Sequence, residues 1–101
     1  MKEFKDIQKE IFDNKVKKGF NISNVELEFC LTMGELGEAF EAYNKKLPTI
    51  GEELADVAIY LYGLAEILGV DLNQEIRQKV LKNKNRVYET VQGVTVRVTE
   101  D

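Results

Sequence analysis

The sequence predicts an all-α protein whose subunit is an antiparallel four-helix bundle. Three observations predict it: apolar residues recur at helical spacing from Phe4 to Val87, cap and stop signals divide that pattern four times, and the connections are only a few residues long. A chain of 101 residues is the size of one domain. It divides into a helical domain over residues 1–88 and a tail over residues 89–101.

In the first helix Phe4, Ile7, Ile11 and Val16 form the apolar stripe, and Gly19-Phe20-Asn21 ends it at a turn. Ser23, with Glu26 three residues later, reads as a capping box opening a long second helix. The core stripe expected there is Val25, Phe29, Met33, Leu36, Phe40, Tyr43 and Leu47, and Pro48 closes the helix. Thr49 with Glu52 repeats the capping-box signature, and the third helix runs to Leu68, where Gly69 stops it. Asp71 caps a fourth helix carrying Leu72, Ile76, Val80 and Val87, and Gly93 breaks the pattern. The tail alternates Val94, Val96 and Val98 with Thr95, Arg97 and Thr99, the period of a short strand. A lone strand has no partner, so it either pairs with another subunit's tail or stays disordered.

Composition narrows the function. The formal charge is −4, but Glu26 to Asp56 carries eight acidic and two basic residues, whereas Arg77 to Arg86 carries five basic and none acidic. That balance argues against DNA or RNA binding, which needs a dominant basic surface. Cys30 is the only cysteine, so no disulfide within the chain is possible, and a reducing cytoplasm is expected. The N-terminus is charged rather than apolar, and the most apolar run, Val57 to Leu68, is too short to span a bilayer, so no membrane association is expected. Val57 to Ala65 is apolar all round, which three short partners in a small monomer can hardly cover. A homodimer at least is therefore expected, with the third helix central to the interface.

Chemistry concentrates in two acidic pairs, Glu35-Leu-Gly-Glu38 and Glu53-Leu-Ala-Asp56, in a chain without histidine. Residues three apart on a helix are neighbours, so each pair presents both carboxylates to one place. Helical projection puts both pairs off the solvent flank: Glu35 and Glu38 share an arc with Leu31 and Ala42, and Glu53 and Asp56 with Tyr60, Gly63 and Ile67. Carboxylates against apolar surroundings are costly unless a cation or hydrogen bonds compensate them. Four oxygen ligands from two facing helices suit a hard divalent cation such as Mg²⁺, or Mn²⁺ in its place. A Glu-x-x-His di-iron bundle is excluded by the missing histidine. On the fourth helix Lys79, Asn83 and Arg86 form one line, a plausible cradle for phosphate oxygens.

These residues together resemble the MazG-like, all-α nucleoside triphosphate pyrophosphohydrolases. The resemblance runs from about Phe4 to Tyr88 and rests on Lys18-Gly-Phe20, Glu35-x-x-Glu38, Glu53-x-x-Asp56 within Gly51 to Tyr60, Leu68-Gly-Val-Asp-Leu72, and Lys79-x-x-x-Asn83-x-x-Arg86. It implies Mg²⁺-dependent hydrolysis of a nucleoside triphosphate to the monophosphate and pyrophosphate by a homodimer or homotetramer, in nucleotide-pool house-cleaning. By the same resemblance Glu35, Glu38, Glu53 and Asp56 are the metal ligands, and Lys79, Asn83 and Arg86 the phosphate contacts. Glu38 is the residue chosen to orient or deprotonate the attacking water, and Phe20 is the candidate for stacking on the base. The rival expectations are a non-catalytic helical oligomerisation or nucleotide-sensing module, and a divalent-cation buffer.

Overall fold

The computed structural model describes residues 4–99, with side chains from residue 7, so Phe4's place on the first helix's stripe lies outside the described side chains. Four helices, α1 (Phe4–Lys17), α2 (Val25–Asn44), α3 (Ile50–Ile67) and α4 (Leu72–Asn85), precede two strands, β1 (Tyr88–Val91) and β2 (Val94–Arg97). The all-α class and its four helices are those the sequence predicts.

Local chemistry fixes the helix ends. Asn24, not Ser23, caps α2: its side-chain oxygen accepts the Leu27 N–H at 3.1 Å. The oxygen of Asn21 meanwhile accepts the backbone N–H groups of Ser23 at 3.4 Å and Asn24 at 3.0 Å, which moves the cap one residue along. Thr49 occupies the N-cap of α3 but makes no side-chain cap bond. Asp71 caps α4 as expected, accepting from Gln74 at 3.2 Å. The C-termini of α1 and α3 close on Gly19 and Gly69, both at φ 72°, a left-handed position that glycine takes without steric cost.

α3 is the central helix. It packs along α2 and against α1, and it touches α4 only lightly, while α2 and α4 make no contact among the described residues. The face of α2 that meets α3 is built from small residues, with Ala39 and Ala42 buried together with Glu28. The stripe expected to be core is instead exposed: Phe29, Met33, Leu36, Phe40 and Tyr43 are 50–69 % accessible. Alanine lets two helix backbones approach closely, and at about 100° per residue the aromatic stripe lies more than a quarter-turn away from that seam. On α1 a similar exchange occurs, since Val16 is exposed and its neighbour Lys15 is buried.

Two polar ties hold α1 in place. Gln8 donates to Glu66 at 3.0 Å and to the Val70 carbonyl at 2.7 Å, and accepts the Leu72 N–H at 3.1 Å, pinning α1 to the α3–α4 turn. Lys15 donates to the buried Glu28 at 2.6 Å, and the second oxygen of Glu28 accepts from Asn21 at 3.0 Å. Its ammonium lies 5.3 Å from the centroid of the Tyr60 ring. The stem crosses α3 at Gly63, where a Cβ would stand only 3.1 Å from Lys15 Cδ.

The buried apolar core is small, comprising Ala39, Ala42, Leu64 and Ala65. The surface measures 7874 Å², against about 5,800 Å² for a compact monomer of this mass. The radius of gyration is 17.0 Å, against about 13 Å. A single chain thus leaves the bundle open.

The alternating tail is the second strand of a hairpin rather than a lone strand. β1 and β2 pair antiparallel through a two-residue turn at Gln92 and Gly93, with φ 52° and 81°. Positive φ at both positions marks a type I′ turn, whose usual signal is Asn-Gly, so Gln-Gly conceals it in the sequence.

The buried ion pair yields the first prediction. Lys15→Met is expected to lower unfolding free energy in urea by about 3–5 kcal/mol, because it strands Glu28, while adding Glu28→Leu should restore most of that loss. Equal stability of both variants and the parent would contradict it.

Candidate metal centre and adjoining cavity

Glu35 and Glu38 stand one turn apart on α2, and Glu53 lies in the first turn of α3. The close alanine seam brings one carboxylate oxygen from each of the three to within 4.8 Å of the others. Glu35 and Glu53 are half-buried and Glu38 is exposed. Asp56, one turn further along α3, is exposed and adds its charge to Glu35 without joining that group of three.

Glu35 is the focus of the crowding. Its carboxyl is held above the ordinary value of 4.5 by burial first, then by contact with Glu38, then by the negative charges of Glu38, Asp56 and Glu53. Its Oε2 is buried with no hydrogen-bond partner. A buried oxygen of this kind calls for a donor, a water or a cation to compensate it. Oxygen donors alone, three of them converging and one unpartnered, fit a hard divalent cation held by Glu35, Glu38 and Glu53 with Asp56 in support. Tyr60 feels the same field: its hydroxyl is raised by burial, then by Glu35, Glu28, Asp56 and Glu38.

Tyr60 also forms part of the wall of a cavity of about 590 Å³ between α1 and α3, with Ile7, Ile11, Asn14, Phe20 and Ile59. Phe20, from the turn after α1, is thus placed where a planar ligand can lie against it. A smaller cleft of about 290 Å³ opens on Glu38 and Glu53, with Lys45 at its rim. The Lys45 ammonium is held by Glu41 at 2.5 Å.

The basic line is elsewhere. Lys79, Asn83 and Arg86 sit on and just after α4, where Arg86 donates to Asn83 at 2.8 Å. Since α4 does not touch α2, one chain does not bring this line against the carboxylates of α2. Residues that sequence reasoning passed over are Lys15 and Glu28. The available signal was the seven-residue step from Glu28 to Glu35 and the alanines on the same arc of α2.

The field on Glu35 gives a pH dependence. An acid whose folded pKa is raised favours the protonated fold, so its stabilising contribution is present below its ordinary value and lost as pH rises through the raised one. In EDTA the melting temperature should fall as pH climbs above 4.5. Glu35→Gln, or saturating Mg²⁺, should flatten that fall; thermal unfolding across a pH series checks it, and superimposable curves for all three conditions would refute it.

The family model of the MazG-like family matches residues 19–95. No curated protein and no solved structure matches the chain significantly. Among the described residues, no helix is long and apolar enough to cross a membrane. The family match spans both acidic pairs, the basic line and about three-quarters of the chain, which therefore belongs to the MazG-like family.

Proposed function

We propose that the protein is a Mg²⁺-dependent pyrophosphohydrolase that converts a nucleoside or deoxynucleoside triphosphate to the monophosphate and pyrophosphate, as part of cytoplasmic nucleotide-pool house-cleaning. The observation that carries this reading is the buried, unpartnered Glu35 oxygen within a convergence of three carboxylates. Membership of the MazG-like family supports the same activity.

Each residue has a part in the reaction. Glu35, Glu53 and Asp56, with Glu38, hold the cation, for which Mn²⁺ can substitute. Bound Mg²⁺ supplies positive charge against the phosphates and lowers the pKa of a nearby water. Glu38, the exposed member of the converging three, orients that water and takes its proton as the water oxygen bonds to the α-phosphorus and the bond to the leaving pyrophosphate breaks. Phe20 and Tyr60 receive the base in the neighbouring cavity. Lys79, Asn83 and Arg86 neutralise phosphate oxygens. Because α4 makes no contact with α2 in its own chain, this basic line reaches the α2 carboxylates from a second copy in a homodimer or homotetramer. An open bundle with an exposed α2 stripe supports such an assembly.

The exposed stripe also favours a second reading, a non-catalytic helical oligomerisation or nucleotide-sensing module. Pyrophosphate release from a panel of ribo- and deoxyribonucleoside triphosphates, in Mg²⁺ and in EDTA, separates the two. The enzyme requires metal-dependent release, a loss of about 100-fold or more in Glu38→Ala, and a raised KM in Arg86→Ala. No turnover on any substrate by the intact oligomer would leave the module.

A further inference from the structure

Every residue of β1 and β2 is exposed, and among the described residues the backbone of neither strand comes close to a helix of its own chain. The register pairs Glu89 with Val96 and Val91 with Val94, and the Val98 N–H donates to the Val87 carbonyl at 2.7 Å, extending the ladder. Paired residues share a face and successive residues alternate. Val87, Val91, Val94, Val96 and Val98 therefore lie on one face, broken only by Glu89, while Tyr88, Thr90, Thr95 and Arg97 lie on the other. The five valines are 39–60 % exposed.

A two-stranded hairpin in water is marginal at best and needs a surface to pack on. Among the described residues its own helices do not come close enough to offer one. Two valine faces packed on each other about a two-fold axis would bury both Glu89 carboxylates, either against each other or against valine. The chain carries about 2,000 Å² of surface beyond a compact monomer, which is the amount one protomer gives up in an obligate interface. The α2 stripe from Phe29 to Tyr43 is an apolar surface without a charged residue along its line. We propose that the hairpin is an arm whose valine face covers the α2 stripe of a second copy of this chain. The proposal goes beyond the enzymatic reading and rests only on its oligomeric part.

Sedimentation velocity and amide hydrogen exchange on the full chain, each across a concentration series, test it. The native chain should be a dimer or higher, with protection of the Glu89 and Val96 amides rising with concentration. Val94→Thr/Val96→Thr/Val98→Thr keeps strand-forming shape but removes the apolar face. It should raise the dissociation constant about tenfold or more, whereas Thr90→Ser/Thr95→Ser on the opposite face should leave it unchanged. A native oligomer whose dissociation and hairpin protection are indifferent to the valine changes overturns the arm alone. A native monomer at micromolar concentration overturns both the arm and the oligomer on which it rests, and pyrophosphate release is scored independently of either.

Discussion

Lys15 and Glu28 meet at 2.6 Å where α1, α2 and α3 converge, and the rest of the architecture hangs on that contact. The backbones of α1 and α2 do not approach each other among the described residues, so the pair and its Asn21 neighbour are what tie the two helices. Both charges are nearly excluded from water, at 11 % and 1 % side-chain exposure. A buried pair of this kind contributes more to the choice of one arrangement than to net stability, because desolvation offsets most of the attraction. Here it fixes the azimuth of α2, turning Glu28, Glu35 and Ala42 inward and the aromatic stripe outward.

That azimuth explains how one helix serves two purposes. The inward arc is narrow and carries the acids, and the outward arc is broad and apolar. Placing Glu35 inward stores electrostatic strain, since burial and three acidic neighbours all oppose its ionisation.

Much of this was legible in the chain. The helix count, the Asp71 cap, the Gly19 and Gly69 stops and the proximity of Glu35, Glu38 and Glu53 follow from spacing and propensity. The facing of α2 was not legible, because hydrophobicity favours the stripe from Phe29 to Tyr43 and only close backbone packing favours Ala39 and Ala42. Lys15 was hidden for a related reason: periodicity marks apolar residues, and a buried lysine is recognisable only once its partner is in place. The hairpin was half hidden, its second strand visible by alternation and its first absorbed into the end of the α4 pattern.

The alanine seam has one more consequence. Glu35 and Glu38 ride on one helix and Glu53 on the other, so the gap between their oxygens is set by how closely α2 and α3 can approach. Ala39 and Ala42, both buried in the seam, set that approach. On the proposed reading they would act as a gauge for ionic radius: a bulkier residue at either position would part the carboxylates of α2 and α3 and favour larger divalent ions over smaller ones.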